Sequence, residues 1–327
     1  MNHSDLCALL HIDYPLIQGG MAWVADASLA AAVSNGGGLG LIAAGSMNAD
    51  LLRGEIQRVR EKTNRPFGVN IMLMNPDADD LAQVVLDEKV PVVTTGAGSP
   101  GRYIKAWKEA DILVIPVVAS VAYARRMEKL GADAVVAEGT EAGGHIGELT
   151  TMVLVPQVVD AVNIPVIAAG GIADGRGVAA AFMLGASGVQ VGTRFLVCDE
   201  CNIHENYKQL ILKARDIDTV VTGRCGGHPV RALKNKLSRR LLEMEKNNVS
   251  FEEFEAITVG SLRRAVRDGD VDEGTFMAGQ SAGLVHKRQP AAEIIREMFL
   301  EAQELLGDRL PVAIPGLQQN TMAGGSV

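Results

Sequence analysis

Short apolar runs recur along the first two thirds of this chain, and a helical pattern follows each of them. Eight such runs are predicted to be buried strands, spaced roughly 20 to 30 residues apart. They cover residues 14–21, 39–43, 67–71, 91–94, 112–117, 133–137, 165–169 and 188–191. The count predicts an α/β (β/α)8 TIM barrel, whose active site lies at the C-terminal ends of its strands. A doubly wound open sheet is the alternative.

The pattern changes after the eighth run. Residues 198–275 are polar and charged, with helical stretches near 204–215 and 231–246, whereas Ala291–Leu306 forms a strong amphipathic pattern typical of a last barrel helix. We therefore predict three parts. They are a barrel made of residues 1–197 and 276–306, a small domain inserted at 198–275, and an irregular tail at 307–327.

Composition excludes several classes of function. The net charge of −8 argues against general affinity for nucleic acid, and no apolar run spans a bilayer without Gly, Pro or charge. The four cysteines are not spaced like a secreted disulfide framework. We expect a cytoplasmic protein that binds neither nucleic acid nor membrane.

A histidine follows the sixth predicted strand on the glycine-rich loop Glu141-Ala142-Gly143-Gly144-His145-Ile146-Gly147. Histidine is the side chain best suited to proton transfer near neutral pH, which makes His145 a candidate catalytic residue. A structural hydrogen bond in a tight loop is the alternative. Glu138 and Glu141 flank this loop, and either could orient His145, although a solvated or capping carboxylate explains them equally well.

Glycines also follow the seventh and eighth strands, in Gly170-Gly171-Ile172 and Gly192-Thr193. In many barrels these two loops bind phosphate through backbone N–H groups and a helix N-terminus. The alternative is that they are only tight turns. Small residues after the first strand, together with Asn70 after the third, leave room for a flat ring.

Two short cysteine motifs have a spacing known from zinc sites. Cys198 and Cys201 form a C-x2-C pair, and Cys225 and His228 form a C-x2-H pair. We favour reduced thiols in the inserted domain and predict no metal, with structural zinc as the alternative.

Four motifs occur in order along the chain: Gln18-Gly19-Gly20-Met21, Glu141-Ala142-Gly143-Gly144-His145, Ala168-Ala169-Gly170-Gly171-Ile172 and Val191-Gly192-Thr193-Arg194-Phe195. Together they resemble the FMN-dependent nitronate monooxygenase (2-nitropropane dioxygenase) superfamily. Within it, residues 145–152, 227–235 and 277–283 are most similar to the type II FMN-dependent enoyl-acyl-carrier-protein reductases.

The resemblance implies a TIM barrel with FMN at its mouth and His145 as the active-site histidine. It places the FMN contacts at Gly20, Met21, Ala22, Asn70, Gly171, Gly192, Thr193, Met277, Gly279 and Gln280. It also implies ping-pong chemistry in fatty acid biosynthesis. NADH or NADPH reduces FMN, flavin N5 delivers a hydride to the β-carbon of a trans-2-enoyl thioester, and His145 or a water it holds supplies the proton. The resemblance further suggests dependence on a monovalent cation, and we expect a homodimer.

Two other functions compete with this reading: oxidation of alkyl nitronates with dioxygen, and a non-catalytic barrel that binds flavin or phosphate. An acyl carrier protein, expected to be acidic, would need a basic surface on this acidic chain. Residues 223–240 contain six cations and no Asp or Glu, which predicts carrier docking on the inserted domain. An ordinary solvated helix face is the alternative. The cations are Arg224, Arg231, Lys234, Lys236, Arg239 and Arg240.

Overall fold

A computed structural model of the protein describes residues 6–307, which include eleven strands. The strands are β1 (Leu16–Gln18), β2 (Gly40–Ala43), β3 (Phe67–Met72), β4 (Val92–Gly96), β5 (Leu113–Val118), β6 (Val135–Glu138), β7 (Gly144–His145), β8 (Val166–Ala169), β9 (Gly188–Val191), β10 (Thr219–Thr222) and β11 (Val230–Leu233). All eight predicted strands are present, one with the predicted bounds and the others with bounds shifted by a few residues.

Eight of these strands form one parallel sheet in the order β1-β9-β8-β6-β5-β4-β3-β2. Its two edges meet, because Ile17 of β1 bridges Leu39 and the Gln18 N–H donates to the Leu39 carbonyl over 2.9 Å. The Gln18 side chain adds a bond, accepting at Oε1 from the Leu41 N–H over 3.0 Å. The prediction of a TIM barrel is therefore confirmed, and the open-sheet alternative is wrong.

Helices surround the sheet, and most begin at a capping side chain. They are α1 (Leu6–Leu10), α2 (Ala27–Asn35), α3 (Ala49–Lys62), α4 (Ala78–Asp87), α5 (Gly101–Glu109), α6 (Val121–Lys129), α7 (Thr151–Val159), α8 (Gly175–Met183), α9 (Glu205–Leu212), α10 (Lys236–Lys246), α11 (Phe251–Thr258), α12 (Ser261–Arg263) and α13 (Ala291–Leu306). Asp26 caps α2 as predicted, accepting from the N–H groups of Ser28 and Leu29.

The core leaves only one end of the barrel open. Leu6 and Leu10 of α1 belong to the same buried cluster as Ile17, Val136 and Ile167 from the strands, so they cover the N-terminal end. Helix α13 then packs against α8 and completes the outer ring, as predicted for the last barrel helix. A functional site is therefore expected at the opposite, C-terminal end of the strands.

The segment between β9 and α13 differs from its prediction in one element. The helical pattern near 231–246 was wrong at its start, since β11 precedes α10 there. Strand β11 lies between β10 and β7 in a three-stranded antiparallel sheet, with Val230 opposite His145 and Arg231 opposite Gly144. These residues form a strand because they pair with β7 and β10, which are distant in sequence. A helical pattern within a short stretch of sequence carries no information about such partners.

The predicted irregular tail lies, from residue 308 onward, outside the described residues. Within residues 6–307, every helix is too short or too polar to cross a membrane.

Candidate active site

A cavity of about 600 Å³ opens at the C-terminal ends of the barrel strands. The loops after β1, β3, β4, β6, β8 and β9 line it, together with residues from α9 and the 277–281 loop. This is where a TIM barrel carries its chemistry.

The predicted site residues gather around this one cavity. His145 and nine of the ten predicted FMN contacts line it: Gly20, Met21, Ala22, Asn70, Gly171, Gly192, Thr193, Met277 and Gly279. Gln280 does not line the cavity. It is exposed, and its backbone N–H donates to the Glu141 carbonyl over 2.9 Å, so Gln280 contributes to loop structure.

His145 is held through its backbone while its side chain stays accessible from the cavity. Its two-residue strand β7 pairs with β11, and the next N–H, that of Ile146, donates to the Pro229 carbonyl over 3.1 Å. Gly144 has φ of +77°, a conformation that favours glycine. Partial burial, and secondarily the charge of nearby His228, lowers the pKa of His145. This shift favours the neutral form of the imidazole.

Glu141 is occupied by the helix that follows the histidine loop. The Thr151 N–H donates to Oε1 and Oε2 of Glu141 over 3.0 and 2.9 Å, and the Thr151 hydroxyl donates to Oε2 over 2.8 Å. These bonds join the loop to the first turn of α7. Glu141 is thus a brace for the loop and does not orient His145.

Glu138, the second flanking acid, faces the cavity from the end of β6. Its carboxylate makes no hydrogen bond or ion pair with any group in residues 6–307. Burial without a compensating partner raises the pKa of Glu138 to about 7. Glu138 therefore does not orient His145 either, and its carboxyl carries a proton in about half the molecules at neutral pH.

The loop that carries Met277 packs directly on the histidine loop. A Cβ on Gly143 would lie 2.6 Å from the Ala278 carbonyl carbon, so only glycine permits this approach. The Thr193 hydroxyl accepts from the Gly279 N–H over 2.9 Å, and the Tyr207 hydroxyl donates to the Met277 carbonyl over 2.6 Å. The two loops are thereby fixed relative to each other and to β9.

The glycine loops after β8 and β9 fit a phosphate group. Gly171, with φ of +76°, and Gly192 line the cavity, and no turn or loop hydrogen bond in residues 6–307 uses their N–H groups. Hypothetical Cβ atoms there would make only ordinary van der Waals contacts, at 3.5 Å to Glu141 and 3.6 Å to Met21, so neither glycine is forced by a close backbone approach. At Gly20, a Cβ would lie 2.3 Å from Asn70 Cγ, which leaves a flat wall. This arrangement fits the phosphate and ring of FMN.

Three residues have roles that the sequence did not indicate. Tyr207 lines the cavity from α9, within the polar segment after β9. Trp23 lines it from the loop after β1, where Trp23 itself has a φ of +66°. Arg194, part of the glycine motif after β9, is buried and donates to the Lys287 carbonyl and to Gln289 Oε1 over 3.2 and 2.6 Å. It joins β9 to the segment before α13.

The cysteine motifs lie in different environments. Cys198 and Cys201 are buried beside α9, and burial raises the pKa of the Cys201 thiol to about 12. Cys225 is exposed, as is His228 in the loop before β11. The described part of the chain holds no group of three or more His, Cys, Asp or Glu residues that could bind a metal ion.

Comparisons with known proteins agree on the family, and the names of the relatives describe different activities. The sequence model described as nitronate monooxygenase matches residues 3–84 and 79–301. The structure of FabK from Thermotoga maritima superposes with a TM-score of 0.91 and 54% identity, covering 93% of this chain and 97% of that chain. A (3aS,4S,5R,7aS)-5-hydroxy-7a-methyl-1-oxo-octahydro-1H-indene-4-carboxyl-CoA dehydrogenase from Mycobacterium tuberculosis is 35% identical, over 91% of this chain and 96% of that protein. A probable nitronate monooxygenase from Staphylococcus aureus is 34% identical, over 93% and 99%.

Proposed function

Because the chain belongs to the nitronate monooxygenase family, whose members are FMN-dependent, we propose that it reduces trans-2-enoyl-acyl carrier protein with NADH or NADPH. The supporting observation is its likeness to Thermotoga FabK, an enoyl-acyl-carrier-protein reductase of type II. The relative that acts on a carboxyl-CoA compound also favours a thioester substrate.

The chain's own residues divide the work of binding. Gly171 and Gly192 offer N–H groups to the FMN phosphate, and Gly20 and Asn70 form the wall against the ring. When bound, FMN supplies the hydride that reduces the double bond. The protein's contribution is to hold the enoyl thioester beside the ring and to stabilise the charge that develops on it.

His145 fits the second of these tasks. As a neutral imidazole it can donate a hydrogen bond to the thioester oxygen, which gains negative charge when a hydride reaches the β-carbon. The backbone of His145 is fixed by its pairing with β11. Little conformational entropy is therefore lost when the imidazole ring binds the substrate. His145 would thereby favour the enolate-like state over the bound substrate.

The competing function is nitronate oxidation, which the Staphylococcus relative favours by its name. It needs dioxygen and no pyridine nucleotide, and therefore predicts different reactions of the bound flavin.

Mixing the oxidised, FMN-loaded protein anaerobically with NADH or NADPH is expected to bleach the flavin, and crotonyl thioester is expected to restore its absorbance. Stopped-flow absorbance of the flavin measures both half-reactions. Propyl nitronate is the comparison substrate. Bleaching by propyl nitronate, with no response to either pyridine nucleotide, would instead establish nitronate oxidation.

We also propose that the carrier protein docks on the inserted segment. Of the six cations predicted to contact the carrier, several are already bonded to other groups of this protein. Lys236 pairs with Asp272 at 2.6 Å, and Arg224 pairs with Glu148 at 3.2 Å. Arg231 donates to the Thr140 carbonyl. Arg239 and Arg240 on α10 are exposed and make no ion pair within residues 6–307. Lys234 is also exposed, but its Nζ donates to the Ile217 carbonyl, so Arg239 and Arg240 are the cations of the six without a side-chain bond and are the most available to an acidic partner.

Reversing Arg239 and Arg240 to glutamate is expected to raise KM for carrier-bound crotonate about 5- to 10-fold at low salt, because exposed charges mainly tune association. Steady-state kinetics at two salt concentrations measures this. The control is Lys62→Glu with Lys129→Glu, the same charge change at helix C-termini on the opposite end of the barrel. An equal rise in KM for a short N-acetylcysteamine thioester would contradict carrier docking.

A further inference from the structure

Glu138 is the acid in the cavity that no other group uses. It ends β6 in register with Ala169 of β8, so it stands where two central barrel strands meet the cavity. No group within residues 6–307 bonds to its carboxylate, whereas Glu141, three residues later, spends both oxygens on Thr151. The side chain of Glu138 is only partly buried and reaches the cavity, so its carboxyl is open to a ligand there.

The other titratable groups around the cavity are already engaged or uncharged. They are His145 from β7 and Tyr207 from α9, while His228 faces the adjoining pocket. The Tyr207 hydroxyl donates to the Met277 carbonyl. Burial raises the pKa of Glu138 to about 7 and lowers that of His145. Burial thus favours the uncharged form of both groups, and for Glu138 the uncharged form is the one that holds a proton for transfer. Near pH 7 about half of the Glu138 carboxyls therefore hold a proton, whereas the shift at His145 favours the neutral ring.

From this placement we infer that Glu138 is the catalytic acid that protonates the α-carbon of the enoyl thioester, an inference that rests on the proposed function. A hydride, originating from the pyridine nucleotide, forms a C–H bond at the β-carbon. The π electron pair moves to the α-carbon and thioester oxygen. The Glu138 O–H bond breaks as a C–H bond forms at the α-carbon, which leaves a saturated thioester and a carboxylate.

Water restores the Glu138 proton through the open mouth of the cavity. His145 then has the separate task of bonding to the thioester oxygen, so that the two groups act on neighbouring atoms of one substrate. In this arrangement Glu138 transfers the proton, and His145 donates the hydrogen bond that stabilises the negative charge.

A first test needs no turnover. The folded-state pKa of Glu138 lies above its unfolded value, so its contribution to stability falls as pH rises between about 4.5 and about 7. Glu138→Gln is therefore expected to melt at a higher temperature than the natural protein at pH 8, with the difference shrinking at pH 5. Infrared difference spectra of the two proteins should show a protonated carboxyl that titrates near 7. A destabilised variant at pH 8, or a carboxyl that titrates near 4.5, would overturn the inference.

Glu141→Gln is the matched control for the melting experiment. It replaces an acid of the same segment whose oxygens are bonded to Thr151, so it is expected to lower the melting temperature at both pH values. An increase at pH 8 like that of Glu138→Gln would overturn the assignment of the two acids.

The second test is single turnover. Glu138→Gln is expected to slow flavin reoxidation by crotonyl thioester about 100-fold more than flavin reduction by NADH. In the natural protein the reoxidation rate should fall as pH rises through about 7, and the variant should lack this limb. A natural protein that fails to react with the thioester refutes the proposed function. A natural protein that reacts, with a variant equally fast, overturns the role of Glu138 alone.

Discussion

Replacing His145 with alanine is expected to slow flavin reoxidation by an enoyl thioester about 10²- to 10³-fold, the cost of removing one oxyanion donor. The pairing of β7 with β11 uses backbone groups, so alanine keeps the loop in place. The FMN content and the melting temperature should therefore stay close to those of the natural protein. Single-turnover absorbance, flavin content and thermal melting measure the three quantities.

His228→Ala is the matched control, because it removes a histidine from the adjoining pocket and leaves the larger cavity unchanged. It is expected to change the rate by much less than His145→Ala. A His145→Ala protein that loses FMN and stability, yet reacts at the natural rate with the flavin it retains, would show that His145 only braces the loop.

Replacing Gly171 with valine is expected to weaken FMN binding about 100-fold or more. Gly171 lines the cavity, and a valine there, with its Cβ against Glu141, would narrow the space proposed for the phosphate, whose hydrogen bonds are worth about 1.5–3 kcal/mol each. Titration of the apoprotein with FMN, followed by flavin fluorescence, measures the change.

Backbone strain at Gly171 must be separated from obstruction of the phosphate. Gly227 offers the control, since its φ of +72° is close to the +76° of Gly171 and a Cβ there meets nothing within 4 Å. Gly227→Val should cost about the same strain, roughly 1–3 kcal/mol of stability, with FMN binding retained. Equal loss of FMN affinity in both variants would contradict a phosphate site at Gly171.

Local sequence patterns were sufficient to predict the barrel. Each strand is an apolar run bounded by glycine, proline or a charged residue, and β9 forms at the predicted residues 188–191. Asp26 caps its helix because that bond is made within three residues. Since every strand ends at the same face of a barrel, the glycine loops and His145 were expected around one cavity. Their individual roles in catalysis and FMN binding remain predictions.

Contacts between distant parts of the chain were not predictable in the same way. Residues 231–233 were predicted to begin a helix, yet they form part of the mostly buried β11 because β7 and β10 offer partners. Glu138 and Glu141 look equivalent in sequence. The structure distinguishes them because Thr151 bonds to Glu141, which braces the loop, and not to Glu138. The ion pair of Lys236 was likewise not predictable from the local sequence, because its partner, Asp272, lies 36 residues later in the chain.

The dependence of β7 on β11 also orders events during folding. Strand β9 can bond to β1 as soon as residue 191 is available, so the barrel can close early. The partner of His145, Val230, is synthesised later and must come back across the fold at the cost of closing a long loop. We therefore expect a nascent chain to pass through a stage in which the barrel strands are paired and His145 is not yet held by β11. The histidine loop therefore acquires its final geometry only after residues beyond the eight barrel strands have been made.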